Sequence, residues 1–372
     1  MSSVCTIFAL DKDKQERRMA DQIRIKDIAE RAGVSVGTVD RVLHNRPNVS
    51  RTSLEKVRRV LKELDYQPNM YASALAYNRS YTFHLIMPKH ASEAYWQEIE
   101  EGALKACETR RDFRINIKIS YYTRLENETF IKAYEGCLSE NPDGVIIVPA
   151  SLDITQQFTD RLHERNVPFV LLDSYMPELN PLSFYGQDSL SSGFFAARML
   201  MLLAAKDREI MLMKMTKDGK VASQQQDSRE AGFRHYMRSH HNKVTIHELS
   251  LPLDGNKEIY EEKLEDFFSR HNGIHHAITF CSKAHIVGEF LLRTNRRKVQ
   301  IMGYDMVQKN ADCLRKGSIS FLIAQHAYMQ GYYCVETLFQ AIVLKKEVSP
   351  VNYMPIEILN KENVDFYQRT IL

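Results

Sequence analysis

The chain has 372 residues, 44% hydrophobic, 26% charged and 10% aromatic, with a formal net charge of +3. That composition is that of an ordinary soluble protein, argues against disorder and leaves room for two or three domains. No apolar run approaches the roughly 20 residues of a membrane span, and the six cysteines (Cys5, Cys107, Cys137, Cys281, Cys313, Cys334) are dispersed without a C-x-x-C pair, which argues against a disulfide framework or zinc ribbon and for a reducing cytoplasm. The charge is uneven: residues 21–79 hold 11 basic against 7 acidic side chains, so residues 80–372 are slightly acidic. A positive N-terminal end is where a nucleic-acid partner would be met.

Residues 1–22 show no amphipathic period and are expected to be a disordered tail, with Met19 as the expected translation start. From Ile25 the spacing of Ile25, Ile28, Ala29 and Ala32 marks one face of a helix. Gly33 supplies a left-handed turn, Val34 plugs the interior, and Ser35 caps a second helix that turns Val39, Val42 and Leu43 inward. Ser50 caps a third helix with Leu54, Val57, Leu61 and Leu64 on its buried face. This is a helix-turn-helix pattern.

The run IRIKDIAERAGVSVGTVDRVLHNRPNVS, followed by LDYQPNMYASALA, resembles the lactose-repressor (LacI) family over some fifty consecutive residues, in its three-helix head and its hinge. The resemblance implies a DNA-binding head over 23–67 and a hinge over 68–80. It places Val36, Gly37 and Arg41 over base edges. Arg41 can donate two hydrogen bonds to a guanine, whereas Val36 offers only an apolar contact and Gly37 no side chain, so direct readout should be lean. Asp40 stands where the family more often has a small polar residue; it could pair with Arg41 or Lys26, or accept from cytosine. Lys26, Ser35, Thr38, Arg46, Asn48, Ser50 and Ser53 lie where phosphates would be held, or the hydroxyls among them are simply helix caps. In the hinge, Ala72 and Leu75 would face the minor groove, with Leu75 as an intercalating wedge or a contact within a docked helix.

Beyond Tyr81, strand-like runs (82–87, 114–121, 144–148, 169–172, 209–213, 244–249, 276–280, 299–303) alternate with helical ones (96–109, 126–140, 190–203, 227–239). That alternation predicts an α/β architecture of parallel sheets. The region is similar to the periplasmic sugar-binding fold that the family uses as sensor, which implies two lobes, the first about 81–186 and 326–345, the second about 187–325 and 346–372. It also implies an effector site from Tyr95, Trp96, Ser151, Asp153, Arg229, Ser282, Asp305 and Gln325. Trp96 suits either ligand or core, and Arg229 with Asp305 has the alternative of an ion pair across the cleft. Where the family commonly shows Asn-Asp, this chain has Ser282-Lys283, which points away from a neutral sugar toward an acidic or phosphorylated one unless Lys283 faces solvent.

No P-loop, G-x-G-x-x-G, G-x-S-x-G or H-E-x-x-H occurs, so neither an enzyme nor a cofactor is expected. The histidines His240, His241, His271, His275 and His276 lack ligand-spaced partners in sequence, so no metal is expected either. The expected protein is a cytoplasmic homodimer that binds palindromic operator DNA under the control of a sugar or sugar derivative. Its rivals are a solute-binding transport protein and a sugar enzyme fused to a helix-turn-helix.

Overall fold

The computed structural model describes residues 24–43, 47–64, 79–91, 94–221, 223–296 and 298–367. The expected tail with Met19, the hinge residues Ala72 and Leu75, and Arg46 lie outside them. The chain divides into two compact units, Met1–Tyr77 and Asn78–Leu372.

In the first unit three helices, α1 (Ile25–Ala32), α2 (Val36–Leu43) and α3 (Arg51–Glu63), enclose a small core of Ile28, Ala29, Ala32, Val39, Val42, Val57 and Val60. Gly33 ends α1 at φ +62°, the left-handed conformation that its missing Cβ permits. The Ser35 hydroxyl accepts from the Thr38 amide at 3.2 Å, and Ser50 accepts from the Ser53 amide at 3.2 Å. Both serines therefore satisfy amides that a helix start leaves unpaired.

The second unit has two lobes. Lobe 1 contains β1 (Tyr81–Pro88), α4 (Tyr95–Thr109), β2 (Ile115–Tyr122), α5 (Asn127–Ser139), β3 (Gly144–Ile147), α6 (Leu152–Glu164), β4 (Phe169–Leu172) and β5 (Ser183–Gly186). Lobe 2 contains α7 (Ser189–Leu203), β6 (Glu209–Lys217), β7 (Lys220–Val221), α8 (Gln224–His240), β8 (Thr245–Pro252), α9 (Lys257–Arg270), β9 (His276–Thr279), α10 (Ala284–Arg293), β10 (Gln300–Tyr304), α11 (Gln308–Arg315) and β11 (Ile319–Ala324). The chain then returns to lobe 1 through α12 (Ala327–Leu338) and β12 (Asn352–Tyr353), and ends in lobe 2 with β13 (Glu357–Leu359). The lobe 1 sheet runs β12-β5-β4-β3-β1-β2 with every pairing parallel. That of lobe 2 is parallel from β8 through β6, β9 and β10 to β11, with β7 and β13 antiparallel. Strands such as Phe169–Leu172 are buried along their whole length because helices cover both faces.

Two expectations are corrected. The final crossing to lobe 2 falls after Tyr353, not near 346, because Asn352 and Tyr353 pair with Tyr185 and Gly186 of the lobe 1 sheet. Arg114, expected as a strand residue, has φ +53° and closes a 3-10 turn ahead of β2.

Glycines set the closest helix packing in both lobes. A Cβ on Gly102 of α4 would collide with the Tyr328 carbonyl of α12, and one on Gly331 of α12 with the Ile99 carbonyl of α4. Lobe 2 repeats the device, with Gly193 of α7 against the Arg229 carbonyl and Gly232 of α8 against that of Leu190. At the three crossings between lobes, the Gln187 amide donates to Ala324 O at 3.2 Å and to Pro355 O at 2.9 Å. Its oxygen accepts from the Ser192 hydroxyl at 2.8 Å.

Candidate functional site

Burial of Val39 and Val42 orients α2 so that Ser35, Val36, Gly37 and Arg41 are exposed together. Val36 is 49% exposed, unusual for a valine in a helix with an apolar face to bury. Lys26, Asn48 and Ser50 are also exposed; Asn48 has φ +67°, which asparagine tolerates better than most residues. Ser35 pairs with the Thr38 hydroxyl at 2.9 Å and Ser50 with that of Ser53 at 2.9 Å, so in the free head these four residues cap helices in pairs.

In the second unit the strand ends carry a buried polar network. Asp173 follows β4 at φ +72° and Asp305 follows β10 at φ +68°. Asp305 accepts from the Gln325 side-chain amide at 2.6 Å, and the Gln325 oxygen accepts in turn from Arg229 and, at 3.1 Å, from Gln225. Arg229 also donates to Phe280 O at 3.0 Å and lies 4.0 Å over the Tyr304 ring. Lobe 1 joins through Tyr95, whose hydroxyl donates to Asp173 at 3.0 Å and accepts from Gln330 at 3.3 Å. Burial pushes the Asp305 carboxyl up to about 6 against the opposing pull of Arg229 and the Gln325 hydrogen bond. Burial, reinforced by Asp173 and Asp305, holds the Tyr95 phenol protonated. Among the described residues, Arg229 Nε and Gln330 Oε1 are buried with no hydrogen-bond partner.

Asn310, fully buried, positions the neighbouring loop. Its amide donates to the carbonyls of Ser282, Tyr304 and Asp305 at 3.1, 2.9 and 3.0 Å, and its oxygen accepts from the His285 backbone at 2.8 Å. Between the lobes lies a cleft of about 820 Å³, bordered by Tyr95, Trp96, Arg124, Ser282, Lys283 and Lys309 among others. A smaller compartment of about 320 Å³ adjoins it at Arg124 and contains Ser151 and Asp173. Arg124 lies 4.7 Å over the Trp96 ring, and Tyr95 meets that ring edge-on at 5.0 Å. His285 is pushed down to about 4 by burial, with Lys283 and Lys309 contributing, although Asn310 pulls the other way.

Two family models match: "Bacterial regulatory proteins, lacI family" over residues 24–69, and "Periplasmic binding protein domain" over residues 84–347. The crystal structure of a candidate LacI transcriptional regulator from Bacteroides fragilis is 41% identical, covers 78% of this chain and 100% of that one, and superposes with a TM-score of 0.76. The chain belongs to the LacI family.

This LacI-family chain is also 31% identical over 157 residues to the sucrose operon repressor of Staphylococcus xylosus, covering 42% of this chain and 46% of that protein. To catabolite control protein A of the same organism it is 30% identical over 149 residues, covering 40% and 43%. It thus spans less than half the length of these curated relatives. A glucose-galactose binding protein from Geobacillus stearothermophilus shares the sensor fold at 20% identity, with a TM-score of 0.65 over 77% of this chain and 99% of that one.

Of the effector residues expected for this LacI-family sensor, Tyr95, Trp96 and Ser282 line the larger compartment and Ser151 the smaller. Trp96 therefore borders the cleft. Arg229, Asp305 and Gln325 come together one layer behind it. Arg229 and Asp305 belong to the same lobe with the Gln325 amide between them, so they form no ion pair across the cleft. Unlike that buried trio, Asp153 is exposed, on the first turn of α6, and it too lines neither compartment. Missed from the sequence were Asp173, Arg124, Gln225, Gln330 and Asn310. Asp173 could have been found, since FVLLD repeats the strand-then-aspartate pattern of IMGYD. The histidines also need revision: His271 meets His247 and Glu209, with their ligand atoms within 4.8 Å of one another. Glu209 is close enough to pair with His247, at 3.0 Å, and the imidazoles of His247 and His271 lie tilted at 43° with their centroids 4.1 Å apart. No helix among the described residues is long and apolar enough to cross a membrane.

Proposed function

We propose that this LacI-family chain is a sequence-specific transcriptional repressor whose DNA affinity is set by a small carbohydrate-like effector bound between the sensor lobes. The observation that carries this reading is one chain holding both an exposed row on the second helix of a helix-turn-helix head and a two-lobed cleft edged by aromatic and charged side chains. Arg41 reads guanine, while Val36 and Gly37 add little. Lys26, Ser35, Thr38, Arg46, Asn48, Ser50 and Ser53 hold phosphates, exchanging their cap bonds for shared ones where they are hydroxyls. Ala72 and Leu75 face the minor groove, so part of the specificity comes from how readily the operator's centre deforms.

One head reads half a site, so the chain acts as a homodimer on a palindromic operator. It works in the cytoplasm, in keeping with described cysteines that are all free thiols. The effector acts by binding two lobe arrangements unequally; a coupling of about 1–3 kcal/mol would change operator affinity about 5- to 150-fold. The test is selection of duplexes from a random pool by the full chain. A palindromic site should be enriched, and Arg41→Ala should weaken it by about 1–3 kcal/mol and relax one guanine position. A pool that never departs from random would refute the reading.

A further inference from the structure

Resting on the reading of the cleft as the effector site, we infer that the effector is an anion: a small carbohydrate carrying a carboxylate or phosphate, held between Arg124 of lobe 1 and Lys283 and Lys309 of lobe 2. The larger compartment is bordered by Lys89, Arg124, Lys217, Lys283 and Lys309 against only Glu126 and Asp254. Lys217 and Glu126 pair with each other at 3.1 Å, which removes one charge of each sign. Among the described residues, none of Lys89, Arg124, Lys283 and Lys309 is within ion-pair distance of a carboxylate, so their charges are left to the cleft they border. Four cations facing one acid across a concave, partly enclosed space form a field that concentrates anions.

The positions of the two lobe 2 lysines sharpen the point. Lys283 is the N-cap of α10, and Lys309 lies in the first turn of α11. Helix starts carry partial positive charge and disfavour lysine, so both sit where local electrostatics oppose them and where an added anion would relieve the repulsion. His285, beside both, reports the same field through the contribution of these lysines to its lowered basicity. On the lobe 1 side, Arg124 lies over one face of Trp96, so that face presents a planar fork of N–H donors instead of a bare ring. Such a fork matches a carboxylate or phosphate geometrically, which a lysine does not. A neutral sugar would use the exposed ring of a tryptophan; this one is already covered on one side.

Trp96 is the only tryptophan in the chain, so its emission is a reporter placed at the cleft. The full chain is titrated at fixed ionic strength with three matched panels of pentoses and hexoses: neutral aldoses, uronic acids and sugar phosphates. The expected result is that the tightest saturable response comes from an acid or a phosphate, the two panels separating these sources. Arg124→Gln, and separately Lys283→Gln combined with Lys309→Gln, should each weaken that ligand by about tenfold or more while leaving the melting temperature of the free protein near wild type. Lys283 and Lys309 are exposed, so their replacement leaves the core untouched. A neutral aldose as tightest binder overturns the anion while keeping the sensor, and an anionic binder indifferent to the lysine pair overturns the seat assigned to it. Silence from all three panels overturns both readings.

Discussion

The two lobes pack their main helix pairs by the same device and spend their polar residues differently. In each, two glycines on facing helices bring one backbone against the other, and in each an aspartate follows a strand end with positive φ. Yet lobe 1 contributes Tyr95, Trp96 and Asp173, whereas lobe 2 contributes Arg229, Asp305, Asn310 and the lysines. Similar frames thus hold different sets: lobe 1 joins its two aromatics to Arg124 and Lys89, and lobe 2 joins Arg229 and Asp305 to its two lysines. The close packing belongs to the frame, and the chemistry is assigned by what projects from its strand ends.

The comparison breaks first at the glycines if it is wrong. Gly331→Ala in lobe 1 and Gly193→Ala in lobe 2 should each lower stability by about 2–4 kcal/mol in denaturant unfolding, because the obstacle is backbone and neither helix can yield locally. A loss in one lobe only would show that the frames are not equivalent. Asn310→Ala should cost about 2–3 kcal/mol, since four backbone groups lose a buried partner, and it should weaken ligand binding through the Ser282 loop.

Asp305 gives the pH arm. Its carboxyl rises from 3.8 to about 6 on folding, so folding takes up a proton between those values. Stability from this group is complete below the lower value and is lost as pH climbs to the upper one, by about 1–3 kcal/mol. Asp305→Asn should therefore gain on wild type in melting temperature as pH rises from acid to neutral; parallel curves would remove the group from the account. The smallest effect is expected in lobe 1, where Tyr95→Phe removes the hydroxyl's bonds to Asp173 and Gln330 and should cost about 1–2 kcal/mol.

The head was legible almost residue by residue because its rules are local: Gly33 turns the chain, Ser35 and Ser50 cap, and one face of each helix is apolar. The strands of the sensor were legible as apolar runs, but short edge strands such as Asn352–Tyr353 carry too little pattern to reveal which sheet they join. Within the candidate site, position was legible where residues stand at strand ends, as Asp305 and Ser282 do. It was unreadable where a role depends on distant pairing. Nothing near Gln330 or Gln225 in sequence announces a hydrogen bond to Tyr95 or Gln325. Arg124 follows a strand in an ordinary polar turn and meets Trp96 only in three dimensions.

Gln187 gives the sensor an unexpected mechanical simplicity. Three separate backbone segments join the lobes, and three independent joints could twist, slide and splay in combination. One side chain on the first segment grips the carbonyls of the other two, and Ser192 braces it from behind. The crossings are thereby tied to one another, so that bending any one of them must either strain or break a buried hydrogen bond. The three joints therefore share one fastening, and Gln187→Ala would leave each of them to bend on its own.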